Sequence, residues 1–132
     1  MKFFLSLMIL CSFTGNLYAS NFWRGSTLSK KEVLAKWGKT EFDIERFKNS
    51  KLKPRAEMAF SLLSQKSKYI GKNVTDIFKL FGPKDGYYFS DYYPAYMLSR
   101  GKTNKDESWQ LVFLLDKNQK ISDIIVHQNC CE

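Results

Sequence analysis

Residues 69–83 contain the clearest periodic pattern in the chain, because their apolar positions recur at the spacing of an α-helix. Asn73 stands at the N-cap position, Asp76 follows three residues later, and Gly82 with the proline after it ends the pattern. The pattern predicts a central helix with one apolar face, which the aromatic-rich segments downstream must cover. The apolar positions, at i, i+3, i+4 and i+7, are Val74, Ile77, Phe78 and Phe81.

Two further helices are predicted before the central one. Ser29 and Glu32 have the spacing of a capping box, which predicts a short helix over residues 30–37 that closes at the following glycine. Pro54 suits the first position of a helix, and an apolar stripe continues from it to residue 65. These two helices and the central helix make the first part of the chain helical.

Two segments of the first half have no clear period. Residues 40–47 place aromatic and aliphatic side chains among charged ones, and we interpret them as a loop with about one helical turn. Residues 21–27, which include Phe22 and Trp23, are interpreted as a lead-in to the fold or as a strap across its core.

After residue 83 the pattern changes to that of β-strands. The strongest signal is the apolar segment 109–115, and the polar residues 116–119 form a turn after it. The predicted strands cover residues 87–92, 95–99, 109–115 and 121–127. Helices followed by antiparallel strands indicate an α+β fold, in which the helices pack on a three- to four-stranded antiparallel sheet as two layers.

A chain of 132 residues is expected to fold as one domain. We predict a signal peptide over residues 1–19 and an N-terminal segment over 20–53 that contains the helix at 30–37. Residues 54–132 form the predicted helix-helix-sheet domain together with that segment.

The first residues have the order of a secretory signal: Lys2, an apolar run over residues 3–13, and a short segment that ends at Ala19. The run is too short for a transmembrane helix, which needs about 20 residues. Cys11 invites a lipoprotein interpretation, but Leu10 is too large for the residue before a lipidated cysteine. We therefore expect cleavage after Ala19 and a periplasmic or secreted protein with no transmembrane segment in the mature chain.

Charge leaves two interpretations open. Lys2 is the one charged residue of the predicted signal, so the mature chain would hold 20 basic and 13 acidic residues and a net charge of +7. Such a charge favours anionic envelope lipids or glycans, and it is equally a common aid to solubility. The lysines are spread along the chain, which favours solubility, and an exported protein is not expected to bind nucleic acid.

The second half of the chain also resembles a known family. The residues that carry the resemblance are Arg55-x-x-Met58, Leu62-Leu63, Ile70-Gly71, Val74 to Gly82, Lys84, Tyr87 to Phe89, and Trp109-Gln-Leu-Val-Phe-Leu-Leu-Asp-Lys-Asn-Gln-Lys-Ile121. They resemble the BamE-like (SmpA/OmlA) envelope family over roughly residues 54–126. The resemblance implies two helices before a three-stranded antiparallel sheet. It also implies a protein of the periplasm or outer membrane that binds another envelope protein and has no catalytic residues.

His127, Cys130 and Cys131 form the one cluster of nitrogen and sulfur ligands. Two adjacent cysteines cannot readily bind one tetrahedral ion together with a histidine at the same strand end, so no metal site is predicted. The cysteines are disulfide candidates, either with each other or between molecules.

Acidic residues in the predicted loops show neither calcium-loop nor glycosidase spacing and are interpreted as solvated charges. They are Asp85, Asp91, Asp106 and Glu107. Without a phosphate loop or a nucleophile motif either, we predict no catalytic residues and no cofactor, and we expect that the protein is not an enzyme.

The tyrosines are the candidate binding residues. Five of the seven tyrosines lie within ten residues of one another, and side chains that alternate along a strand cannot all face the helices. An exposed tyrosine face suits binding, because each ring offers a large contact area with a polar tip. The alternative is that both faces of the sheet are covered and the rings are core. The residues are Tyr87, Tyr88, Tyr92, Tyr93 and Tyr96.

Together these features predict a non-catalytic protein-binding module that uses one face of its sheet, with a role in cell-envelope assembly or maintenance. The alternative is a cationic binder of anionic envelope lipids or glycans. Salt separates the two, because binding to a polyanion weakens steeply with ionic strength, whereas an aromatic protein interface depends little on it.

We expect that the protein isolated from its native host begins at Ser20, because the order of Lys2, apolar run and Ala19 specifies cleavage there. Intact-mass spectrometry measures this directly. Retention of Met1, or an acyl chain on Cys11, would contradict the prediction.

Overall fold

The computed structural model describes residues 25–102 and 108–129. Within them four α-helices and a four-stranded antiparallel sheet form an α+β fold, as predicted. In chain order the elements are β1 (Thr27–Leu28), α1 (Lys30–Trp37), α2 (Ile44–Asn49), α3 (Lys53–Ser64), α4 (Val74–Phe81), β2 (Ala95–Ser99), β3 (Trp109–Leu115) and β4 (Ile121–Gln128). The predicted signal peptide over residues 1–19, the loop acids Asp106 and Glu107, and the disulfide candidates Cys130 and Cys131 lie outside the described residues.

Helix α1 begins with the predicted capping box. The Ser29 hydroxyl accepts a hydrogen bond from the Glu32 amide at 3.2 Å, and the Glu32 carboxylate accepts one from the Ser29 amide at 2.7 Å. Both bonds lower the pKa of the Glu32 carboxyl, and the bond to the Ser29 backbone has the larger effect. Gly38 ends the helix with a φ of 75°, a conformation that glycine adopts without strain.

Helix α2 is longer than the sequence predicts. The segment 40–47 suggests a loop with one turn, whereas residues Ile44–Asn49 are helical and Asp43 caps them by accepting the Arg46 amide at 2.7 Å. Phe47 is fully buried, so contact with the core selects a helix that the weak local pattern does not specify. Helix α3 begins one residue before Pro54, which still lies in its first turn.

Helix α4 covers the predicted residues, and its apolar stripe is buried at Val74, Ile77 and Phe81. Asn73 occupies the N-cap position, but its side chain makes no capping hydrogen bond. The backbone before the helix pairs instead with the β3–β4 turn, where the Val74 amide donates to the Gln119 carbonyl at 3.0 Å. The hairpin therefore fixes where α4 begins.

The strand order is β1-β4-β3-β2, so β2, β3 and β4 form a meander and the short β1 joins its far edge. Alternate residues of β3, such as Leu111 and Phe113, face the helices and belong to the main core. The residues between them face the other side, which we call the back face. Its members Ala95, Met97, Gln110, Val112 and His127 are also buried. A second layer must therefore cover the back face.

One predicted strand is absent. Residues 87–92 do not form a strand, and β2 pairs with β3 instead of folding back on a preceding strand. The Tyr87 backbone bonds to the Gln110 side chain of β3, and the Ser90 amide bonds within the segment to the Tyr88 carbonyl, so these groups form no strand ladder. Aromatic composition alone therefore misassigned this segment.

No helix within residues 25–102 and 108–129 is long and apolar enough to cross a bilayer. The longest of these helices, α3, has 12 residues.

Replacing Ile77 with alanine should lower the free energy of unfolding by about 2–5 kcal/mol, because Ile77 is fully buried in the layer that α4 shares with β3. Leu80→Ala on the same helix is the matched control, since Leu80 is 39% exposed and should change stability by about 0.5 kcal/mol or less. Urea denaturation measures both. Equal midpoints for the two variants would contradict the packing of α4.

Candidate functional site

Residues 83–94 connect α4 to β2 and carry most of the tyrosines, and we call them the aromatic loop. The loop follows the outer edge of β2, where the amides of Asp85 and Gly86 donate to the Ala95 carbonyl at 3.2 and 2.9 Å. It then passes over the back face, where the Tyr88 ring packs edge-on against His127 with centroids 4.9 Å apart. The aromatic loop is therefore the layer that covers the back face.

A buried glutamine attaches the loop to the sheet. The Gln110 side chain accepts the Tyr87 amide at 3.0 Å and donates to the Tyr87 carbonyl at 2.6 Å, so it pairs with this residue as a neighbouring strand would. Gly86 permits the approach, since a Cβ atom there would lie 2.5 Å from the Gln110 carbonyl oxygen and 3.2 Å from Ala95. Gln110 is the one polar residue in the apolar run of β3, a sequence signal for such an anchor.

An ion pair fixes the start of the loop to the helices. The Arg55 guanidinium is buried, donates to Asp85 at 2.9 Å and to the Phe47 carbonyl at 3.1 Å, and lies over the Phe47 and Tyr96 rings. The second Asp85 oxygen accepts the Met97 amide at 2.9 Å on the edge of β2. Asp85 is therefore a structural partner and not the solvated loop charge that the sequence suggests.

The tip of the loop has a strained backbone. The Ser90 amide donates to the Tyr88 carbonyl at 2.6 Å, which closes a γ-turn around Phe89 with a φ of 56°. A γ-turn of this hand is rare and costly for a bulky residue, and such strain persists only where the surroundings enforce it. The turn holds the Phe89 ring at the rim of the back face, 6.0 Å from the ring of His127.

Three aromatic side chains of the loop point outward. Tyr87 is 38% exposed, Phe89 45% and Tyr92 74%, and we call these residues the contact surface. Lys84 supports it, because its ammonium group bonds to Asp91 at 2.8 Å and lies 5.6 Å from the centre of the Tyr87 ring. Phe89 was not among the predicted binding residues, which were all tyrosines, although its place within the same aromatic block was an available signal.

The other tyrosines point inward to different degrees. Tyr88 and Tyr93 are half-buried and pack edge-on with centroids 5.2 Å apart, so they contribute to the cover over the back face. Tyr96 is fully buried on the helix side of β2, and its hydroxyl donates to the Gly82 carbonyl at 2.8 Å. The prediction that Tyr96 belongs to an exposed binding face is therefore wrong, because its strand position directs it into the core.

A groove lies beside the contact surface, between α4, the aromatic loop and the β3–β4 turn. Its volume is about 430 Å³. It is lined by Val74, Thr75, Phe78, Ser90, Asp91, Tyr92, Tyr93, Leu115, Asp116 and Gln119. The helix and the hairpin supply most of the apolar floor, and the loop supplies one rim.

Within the described residues no group of three or more His, Cys, Asp or Glu side chains could hold a metal ion. His127 lies under Tyr88 and Phe89 as part of the covered back face. Asp91, the other described loop acid, is exposed and paired with Lys84.

A comparison of the chain with protein-family models, curated proteins and solved structures finds no match. The resemblance to the BamE-like family therefore stays a prediction from sequence.

Stability should fall at alkaline pH, because two tyrosines have a raised pKa in the folded state. Burial raises the pKa of Tyr96; the nearby Arg55 charge opposes this shift and the Asp85 charge adds to it. Burial also raises the pKa of Tyr69. In the unfolded chain a tyrosine ionises at a pH of about 10. Above that pH the unfolded state has lost protons that the folded state keeps. The contribution is complete below pH of about 10 and is lost as pH rises further.

Tyr96→Phe should therefore make this alkaline decline shallower. At neutral pH the variant should lose about 1–3 kcal/mol, since the buried Gly82 carbonyl loses the hydroxyl that donates to it. Urea unfolding on both sides of pH about 10 measures both effects, with the exposed Tyr92→Phe as control. If Tyr96→Phe lost as much stability at alkaline pH as the unchanged protein does, the raised pKa of Tyr96 would not be a cause of that loss.

Proposed function

We propose that the protein is a non-catalytic protein-binding module of the cell envelope that contacts another envelope protein through the contact surface. The observation that carries the proposal is the outward exposure of Tyr87, Phe89 and Tyr92 on one loop. Exposed aromatic side chains supply large contact areas, and they are enriched among the residues that dominate binding energies.

The fixed position of the loop supports the proposal. A mobile loop must lose conformational freedom when it binds, whereas a loop already held in place loses little. The bonds of Gln110 to Tyr87 and of Asp85 to Arg55 hold the loop at two points, and the γ-turn holds Phe89 between them and Tyr92. Bonds within the molecule thus hold the backbone that carries Tyr87 and Phe89.

Support for the envelope comes from the sequence. The order of residues 1–19 is that of a signal peptide, which would place the mature chain in the periplasm or outside the cell. The BamE-like resemblance implies the same compartment and a role in envelope assembly or maintenance. The described fold, in which α3 and α4 precede the meander of β2, β3 and β4, has the architecture that this resemblance implies.

A second candidate function is binding of anionic envelope lipids or glycans. The observation that favours it is a pair of ammonium groups on one aromatic ring: Lys30 and Lys39 lie 5.3 and 6.0 Å from the centre of the Phe60 ring. With the net positive charge of the chain, such a pair could attract phosphate groups. This candidate uses α1 and α3 and not the aromatic loop.

Tyr92→Ala should weaken the free energy of binding to the partner by more than about 1 kcal/mol, which appears as reduced capture. Because the side chain is mostly exposed, the free energy of unfolding should change by no more than about 0.5 kcal/mol. The bait is the mature chain in an envelope extract, and bound proteins are identified by mass spectrometry. Leu34→Ala, which alters an exposed apolar residue of α1, is the control and should leave capture unchanged.

Two outcomes would contradict the proposal. One is unchanged capture by Tyr92→Ala. The other is loss of all binding between about 50 and about 300 mM salt together with retention on vesicles that contain phosphatidylglycerol, which would favour the second candidate.

A further inference from the structure

The groove beside the contact surface has the size of a binding site. Its volume of about 430 Å³ lies within the range of about 300–1,000 Å³ that is usual for ligand sites. Val74, Phe78 and Leu115 contribute apolar surface, and Tyr92 and Tyr93 contribute aromatic rings. Such a lining suits apolar groups of a ligand.

One acidic side chain of the groove, Asp116, is left to offer negative charge to a ligand, since Asp91 is already paired with Lys84 at 2.8 Å. Asp91 and Asp116 are among its lining residues, and no lysine or arginine within the described residues lines it, although the chain as a whole has a net charge of +8. Asp116 is held in place because one of its carboxylate oxygens accepts the amides of Asn118 and Lys120 at 2.8 and 3.0 Å. The groove thus offers negative charge at a fixed position.

The aromatic loop already holds an ammonium group of its own between a carboxylate and an aromatic ring. The ammonium group of Lys84 lies between the carboxylate of Asp91, at 2.8 Å, and the ring of Tyr87, at 5.6 Å from its centre. This arrangement combines an ion pair with attraction to the face of an aromatic ring. Tyr92 and Asp116 both line the groove, so an aromatic ring and a carboxylate are available there as well.

We propose that the groove binds a short segment of the partner protein in which a lysine or arginine side chain is flanked by apolar residues. The basic group lies between Tyr92 and Asp116, and the flanking side chains lie on Val74, Phe78 and Leu115. This inference rests on the proposed function, because it names the kind of segment that the binding module receives.

The probe for this test is the blocked peptide acetyl-Leu-Arg-Leu-amide, titrated into the ¹⁵N-labelled mature chain. Amide shifts should concentrate at residues 74–78, 90–93 and 115–119, which surround the groove. The same peptide with citrulline in place of arginine keeps the shape and loses the charge, so it should bind about threefold or more weakly.

Asp116→Asn removes the charge and retains the oxygen that accepts the turn amides, and it should weaken the arginine peptide to about the level of the citrulline peptide. Asp123→Asn is the matched control. It makes the same change of net charge at an exposed acid that pairs with Lys66 outside the groove, and it should leave binding unchanged.

Equal binding of the arginine and citrulline peptides, no shifts with either, or equal weakening by the two asparagine variants would overturn the inference. Shifts at the same amides with the neutral sugar chitotriose and none with the peptides would overturn it in favour of a saccharide. If the peptide tests fail while capture of the partner still depends on Tyr92, the proposed function stands and only this inference is lost. If the arginine peptide binds but capture does not depend on Tyr92, only the proposed function is lost.

Discussion

The ion pair between the buried Arg55 guanidinium and the partly exposed Asp85 carboxylate joins two helices, the aromatic loop and the edge of the sheet. Arg55 lies on α3, reaches the Phe47 carbonyl of α2 and the Asp85 carboxylate of the aromatic loop, and Asp85 in turn binds the edge of β2. A planar guanidinium suits this position because it presents several donors in fixed directions while its faces contact rings. Loss of Asp85 would leave the buried Arg55 guanidinium without its carboxylate partner, so helices, loop and sheet edge depend on one another.

Aromatic packing continues the same connection through the core. Phe81 of α4 packs against Phe113 of β3 and Phe47 of α2, with centroids 4.9 and 5.5 Å apart. Tyr96 of β2 contacts the same rings at about 6 Å and bears the guanidinium of Arg55 on its face. The polar and aromatic contacts therefore meet at Tyr96. This burial, which removed Tyr96 from the candidate site, makes it part of the support for the loop.

Most of the fold follows from local pattern. A capping box, a four-position apolar stripe and an alternating run were enough to predict α1, α4 and β3 within a residue or two, because each signal acts over a single helix turn or strand. Helix α2 was underestimated, since its six residues form where the burial of Phe47 stabilises them. The two-residue β1 was not predicted as a strand, because its pairing with β4 is a contact between distant parts of the chain.

For the candidate site, the sequence determined which residue types gather in the aromatic loop, and the tertiary structure decided where each side chain points. Alternation along a strand cannot sort these tyrosines, because the segment before Pro94 bonds to the Gln110 side chain and to the edge of β2. Composition could place an aromatic block beside a sheet. Only the packed fold could expose Tyr92 and bury Tyr96, since burial depends on residues far away in the sequence, such as Arg55.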